Sequence, residues 1–366
     1  MITLEDVESA AARIAPYVRR TPLVLANHAL HPPTEAALWL KLECLQVTGS
    51  FKARGAMNRL LTTPREQLAG GIVTASGGNH GVATARAGRI AGAPTTVFLP
   101  ANASPLKRAK LAAWGAELRI EGQVWDETDR AARAFARDKG AAYFHPFADP
   151  ATVAGQGTLA LEILPDLPDA TLYLIAIGGG GLAAGMATVL RARAPQARLI
   201  GIEPFGSPTL HASLVAGAVV TLPKVTTSVP TMACGRTDER VFEIIRAKLD
   251  DVVLIEDSDM LDGARWLWFE MGLASGRTHL RAGVRRRRGR HELSGGLRPI
   301  GLCPLQTRSR IRIEQMHGLQ VRRNREELAG LYDDAFAEHA HDFLVAELGE
   351  DLGLRSRRFC HGYFGV

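Results

Sequence analysis

The chain of 366 residues is 46% hydrophobic and 22% charged, enough for a substantial core divided over two lobes, and no apolar run approaches the length of a membrane span. Its net charge of +6 does not describe a nucleic-acid surface: from Gly276 onward it carries 17 Arg, no Lys and 11 acidic residues, so the whole excess lies there. The acidic start Met1-Ile2-Thr3-Leu4-Glu5-Asp6-Val7 lacks the apolar segment of a signal peptide, and Cys44, Cys234, Cys303 and Cys360 show no paired spacing; the expectation is a cytoplasmic protein without disulfides or a zinc site.

From Val7 to Ile255 helical segments alternate with short β-branched runs at Ile72 to Ala75, Thr95 to Leu99, Glu117 to Ile120, Leu172 to Ile177, Leu199 to Ile202 and Val252 to Ile255. This is the pattern of open, mostly parallel α/β sheets flanked by helices. Ahead of the first run stands Thr48-Gly49-Ser50-Phe51-Lys52-Ala53-Arg54-Gly55-Ala56. Beside an aromatic and small residues, the Lys52 amine can be desolvated and its pKa lowered, as an imine-forming nucleophile requires; a snorkelling surface lysine fits the same window. The run from Ile72 ends in Ser76-Gly77-Gly78-Asn79-His80-Gly81 and resumes as a helix from Val82 to Ile90, offering bare amides to a carboxylate. Helices are predicted at Leu106 to Trp114 and Trp125 to Lys139. The run from Leu172 breaks into Gly178-Gly179-Gly180-Gly181 before a helix from Leu182 to Ala194, and four glycines let the backbone wrap a phosphate.

That last turn has a second reading. Gly179-x-Gly181-x-x-Ala184 satisfies the relaxed dinucleotide fingerprint, and Glu203 lies about 20 residues on at the end of the next strand, as in a nicotinamide-dependent oxidoreductase. It leaves the Lys52 box and the Ser76 to Gly81 loop unexplained.

Thr21-Pro22-Leu23, Lys41-Leu42-Glu43 with Gln46, Ser50 to Ala56, Ser76 to Gly81, His145-Pro146-Phe147, Gly155-Gln156-Gly157-Thr158 and Gly178 to Gly181 stand in the order found in pyridoxal-phosphate enzymes of fold type II. Over about residues 1–273 the chain resembles their serine/threonine dehydratase branch. The resemblance implies a two-lobed α/β fold like that of tryptophan synthase β, with a large lobe from 1–61 and 148–273, a small lobe from 62–147 and pyridoxal 5'-phosphate between them. Lys52 resembles the Schiff-base lysine, Phe51 the aromatic that braces the cofactor ring, and Asn79 the partner of its phenolic oxygen. Ser76, with the amides of Gly77, Gly78, Asn79 and His80, resembles the loop that grips the substrate carboxylate. The amides of Gly178, Gly179, Gly180 and Gly181 resemble the phosphate cup. His80 is assigned no catalytic role, and a homo-oligomer is implied.

The reaction so implied is α,β-elimination from serine or threonine to a 2-oxo acid and ammonia. Racemisation uses the same lysine but needs a second acid on the opposite ring face; related racemases carry a serine where this chain has Gly77. Cys234 stands where many relatives have an acid. Glu203-Pro204 resembles the start of a cation site, yet Thr209 replaces the second acid, so no metal is assigned and Glu203 is the one residue a divalent ion would use. No regulatory domain like that of the allosteric dehydratases of isoleucine biosynthesis is recognisable downstream, which points to a catabolic type.

After about Leu273 the resemblance stops. Where the family continues with a Glu-Pro-small-Gly helix and a Ser- or Cys-Gly-Gly-Asn turn, this chain runs through Ala274 to Leu280 into Arg285-Arg286-Arg287-Arg288. A Lys-free, Arg-rich stretch is what a shifted frame in a GC-rich gene produces, so a frameshift near residue 274, and with it an inactive copy whose tail packs poorly, is one expectation. The other is a divergent extension with a helix over Leu328 to Leu348, striped by Leu331, Ala335, Phe336, Phe343 and Leu344. The pyridine-nitrogen partner stays unassigned, because Cys303, the sole residue of the right type, reads better as a buried thiol.

Overall fold

Thr3 accepts the amide of Asp6 while the Asp6 carboxylate accepts that of Thr3, a reciprocal cap that starts α1 (Leu4–Ile14). Strands β1 (Leu23–Leu25) and β2 (Ala37–Lys41) precede α2 (Lys52–Leu61) and α3 (Arg65–Leu68). The chain continues through β3 (Ile72–Ala75), α4 (Asn79–Ala91), β4 (Thr95–Leu99), α5 (Pro105–Ala113), β5 (Glu117–Ile120), α6 (Trp125–Lys139) and β6 (Ala142–Tyr143). Then follow α7 (Pro150–Ile163), β7 (Leu172–Ala176), α8 (Gly181–Arg193), β8 (Arg198–Pro204), α9 (Thr209–Ala216), α10 (Glu239–Lys248), β9 (Asp251–Ile255), α11 (Asp257–Met271) and β10 (Phe343–Glu347). The computed structural model describes residues 2–123, 125–273 and 343–347, and every described element belongs to one unit.

The strands form two sheets. One has the order β5-β4-β3-β6 and is parallel throughout. The other has the order β1-β2-β10-β7-β8-β9; β7, β8 and β9 run parallel, and every pairing of β1, β2 or β10 is antiparallel. Both faces of the larger sheet are covered, so β7 reads as a continuous apolar run: Tyr173 and Ile175 enter one core with Leu159, Ala183 and Ile245, and Leu172 and Leu174 enter another with Leu38, Leu40 and Met260. In the smaller sheet Ile72 faces Met57 and Phe144, whereas Val73 faces Phe98 and Ala136.

Close helix packing places the chemistry. A Cβ on Gly155 of α7 would lie 2.7 Å from Gly55 Cα, and one on Gly185 of α8 would lie 2.4 Å from the Val153 carbonyl. Only glycine permits these approaches, so α7 holds the helix that begins at Lys52 on one side and the helix that leaves the tetraglycine turn on the other.

The tail departs from expectation in one described place. Phe343–Glu347 is a strand, not part of a helical stripe, and it lies inside the larger sheet with partners on both sides, Leu344 opposite Leu40 of β2 and Leu174 of β7. Five residues placed between two strands supply the ladder partners that β2 and β7 would otherwise lack. The remaining stripe positions Leu331, Ala335 and Phe336, together with Arg285–Arg288, Cys303, Cys360 and the suspected frameshift near 274, lie outside the described residues.

Candidate active site

The segment from Phe144 to Phe147 is where the site residues meet. The Lys52 amine donates to the Pro146 carbonyl at 2.8 Å, and a His80 ring nitrogen lies 3.1 Å from the Phe144 carbonyl. The Phe147 ring fills the place that a side chain at Gly179 would need, since a Cβ there would fall 2.3 Å from it. A Cβ on Gly181 would lie 2.4 Å from the Phe147 carbonyl. One tetrapeptide thus connects the lysine, α4 and the glycine turn. His145-Pro146-Phe147 was visible in the sequence as a motif, but its part as the common contact was not.

Lys52 follows Phe51, which is 3% exposed and whose ring centroid is 5.1 Å from the amine. Part of the lysine side chain reaches solvent, yet the amine lies deep, and burial lowers its pKa to about 8 against a smaller opposing influence of Cys234. Cys234 is held by its backbone: its N–H donates to Ser207 Oγ at 3.0 Å, and its carbonyl accepts from Ser207 Oγ and Thr209 Oγ1. The turn ahead of Lys52 is strained. Thr48 has φ +67°, the one positive φ outside glycine among the described residues, and its buried hydroxyl has no partner there. Sequence patterning carries no sign of this strain.

Two helix N-termini face this region without a side-chain cap, that of α4 behind Gly78 and that of α8 behind Gly180, whose φ is +87°. Each offers orphan amides and the positive end of a helix dipole to an anion. Ser76 is half-buried and its Oγ accepts the Gly78 amide at a long 3.4 Å. Gly77 faces apolar atoms, so that a Cβ there would meet Leu99 at 3.2 Å and Ala103 at 4.0 Å; Gly78 faces open space. Asn79 is 7% exposed and its Nδ2 has no described partner. Thr237 Oγ1 donates to the Gly179 carbonyl at 3.1 Å, so that this oxygen has a partner.

Glu203 is fully buried, with its two carboxylate oxygens accepting the amides of Leu210 and His211 at 2.9 and 2.8 Å, where it caps α9. A dinucleotide ribose has no access to it, and the described residues hold no group of three potential metal ligands. Burial raises its pKa to about 7.

The buried histidines give a testable pH dependence. Burial, reinforced by Lys52 at His80 and by Arg133 at His145, depresses both imidazoles to a pKa of about 3. Between about 3 and the ordinary value near 6.5 the unfolded chain binds their two protons and the folded chain does not. Their stabilisation is complete above about 6.5 and lost as pH falls toward 3. Glu203 acts oppositely, its contribution being present below the ordinary carboxylate range and lost as pH rises through about 7. Two protons outweigh one, so the urea midpoint should fall from pH 7 to pH 5. A flat midpoint over that interval would contradict the burial of these rings.

An amine made less basic by burial, set among bare helix N-termini and a carboxamide donor without a described partner, has the chemistry to take an anionic, carbonyl-bearing group. The family model described as pyridoxal-phosphate dependent enzyme matches residues 14–297, and the chain belongs to that family. It is 40% identical to an L-threonine ammonia-lyase of Geobacter sulfurreducens over 260 residues, covering 71% of this chain and 64% of that relative's length. Among solved structures it resembles a threonine deaminase of T.th., with 34% identity, a TM-score of 0.71 and coverage of 76% of this chain and 90% of the other. Maize serine racemase gives 30% identity and a TM-score of 0.72 over 75% of this chain and 83% of that one. Asn79 Nδ2 and the side-chain-free turn at Gly179 to Gly181 fit the cofactor of this family. No helix among the described residues is long and apolar enough to cross a membrane.

Proposed function

We propose that the chain is a pyridoxal-phosphate serine/threonine dehydratase that converts a β-hydroxy amino acid into a 2-oxo acid and ammonia. The similarity to a threonine ammonia-lyase and a threonine deaminase supports the substrate class. In this reading Lys52 holds the cofactor covalently and Phe51 braces its ring. Asn79 donates to its phenolic oxygen, and the amides of Gly178 to Gly181 hold its phosphate. Ser76 and the amides of Gly77 to His80 orient the substrate carboxylate at the α4 N-terminus. When bound, pyridoxal phosphate supplies a ring that accepts the electron pair left at the substrate α-carbon. The Lys52 amine, neutral once released, takes the α-proton at Nζ; its depressed pKa keeps a usable fraction unprotonated near neutral pH. The sheet β5-β4-β3-β6 would form the core of a small lobe (62–147), and the larger sheet that of the other lobe. A cytoplasmic homo-oligomer completes the reading.

Gly77 carries the choice between elimination and racemisation. Racemisation requires a proton donor opposite Lys52, and the Gly77 position has no side chain and faces Leu99 and Ala103. Incubation of the holoenzyme with L-serine should give pyruvate and ammonia well ahead of D-serine. If D-serine accumulated faster than pyruvate, the dehydratase reading would fail in favour of a racemase.

A further inference from the structure

Trp125 opens α6, and in the sequence it is only a helix start. In the structure its indole Nε1 donates to the carbonyl of Ala75 at 2.9 Å. Ala75 is the last residue of β3 and immediately precedes Ser76, so this bond fixes the point from which the substrate loop leaves the sheet. On its other side the indole meets the tetrapeptide that gathers the site. Its ring centroid is 6.3 Å from Phe147 at 33° and 6.3 Å from His145 at 83°. His145 and Phe147 pack edge-on at 4.5 Å, and His145 Nδ1 accepts the amides of Phe147 and Ala148 at 3.2 and 2.9 Å, locking the pair. Phe147 in turn abuts Gly179, and the Pro146 carbonyl beside it holds the Lys52 amine.

We propose that Trp125 is a positioning residue that sets the Ser76 to His80 loop in register with Lys52 and the tetraglycine turn, acting through its indole hydrogen bond to Ala75 and its ring contact with Phe147. Neither of the nearest aromatic replacements serves both ends. Phenylalanine keeps the flat ring and loses the donor; tyrosine carries its donor at the ring tip, away from where Nε1 reaches Ala75. Loss of the bond frees the loop that must present its amides to the substrate carboxylate, whereas the cofactor side, supported by the ring, stays in place. The ring and the N–H therefore have separable effects.

The inference rests on the proposed amino-acid chemistry for its choice of probe. Trp125→Phe in the holoenzyme should raise KM for L-serine about five- to tenfold, the value of one hydrogen bond, and lower kcat by a smaller factor. Trp125→Ala should in addition weaken retention of pyridoxal phosphate on dialysis, because Phe147 loses its support. L-Alanine, which has no leaving group, gives a readout independent of turnover: by equilibrium dialysis of labelled L-alanine, Trp125→Phe should bind it about five- to tenfold more weakly than the wild-type holoenzyme, and a change in tryptophan emission on binding should be present in the wild type and lost in the variant. Trp114→Phe, in the cluster with Val97 and Leu111, controls for loss of an indole and should move neither quantity. Wild-type affinity for L-alanine in Trp125→Phe, or a lowered thermal midpoint and lowered kcat with KM unmoved, overturns the assignment. A holoenzyme that binds L-alanine through Trp125 yet makes no 2-oxo acid refutes the dehydratase reading alone, and one that deaminates serine without any dependence on Trp125 refutes this inference alone.

Discussion

Replacing Lys52 by alanine is expected to lower turnover by about 10³-fold or more, since one amine provides both the covalent hold on the cofactor and the base for the α-proton. Lys41, the other lysine of the matched motifs, is no substitute. It is fully buried, and its Nζ donates to the Thr21 carbonyl and the Glu162 carboxylate, each at 2.6 Å. The Lys52 amine has one carbonyl partner and a pKa near 8, so it can be released neutral. Borohydride treatment of the wild-type holoenzyme followed by peptide mapping should leave the cofactor on the peptide containing Lys52. The alanine variant should take up pyridoxal phosphate reversibly at the glycine turn and retain none after reduction and denaturation. Label on Lys41, or near-normal turnover in the variant, would remove the basis of the functional reading.

The residues whose roles depend on local pattern were legible. Ile72–Ala75, Thr95–Leu99 and Glu117–Ile120 form strands over the predicted residues, and Trp125–Lys139 is the predicted helix, because β-branched runs and helical spacing act over a few neighbouring positions. Short strands were not separable from loops by period: β1 has three residues and β6 two. Phe343–Glu347 failed for a different reason, since its conformation is set by partners more than 160 residues away in β7 and about 300 away in β2. At the site, Lys52 and the glycine turn stand out as local motifs, but each window admits a second reading and their expected roles come from the family resemblance. The Pro146 carbonyl, the Phe147 ring at Gly179 and the Trp125 bond to Ala75 arise only when separate segments meet, and no sequence period encodes them.

The largest stability effect is expected two residues beyond Lys52. Arg54 is fully buried, and its guanidinium donates to both oxygens of Glu43, at 2.8 and 2.7 Å, and both of Glu162, at 2.6 and 3.0 Å. Lys41 joins Glu162, and Thr21 Oγ1 donates to Glu43 at 2.5 Å, so two cations face two anions with their hydrogen bonds made. Burial opposes the Arg54 charge, but Glu43 and Glu162 outweigh it and raise its pKa; burial opposes the Glu162 charge too, and Arg54 and Lys41 outweigh it and lower that pKa. Such a cluster need not stabilise the fold relative to an apolar core, yet removing one member leaves an uncompensated buried charge. Arg54→Met should therefore cost about 3–5 kcal/mol, read from urea unfolding, and should loosen the start of α2 that carries Lys52. The double variant Arg54→Met with Glu43→Leu restores neutrality around the remaining Lys41 and Glu162 pair and should recover part of that loss. A single variant within about 1 kcal/mol of wild type, or a double variant less stable than the single, would show that charge balance is not what holds this helix in place.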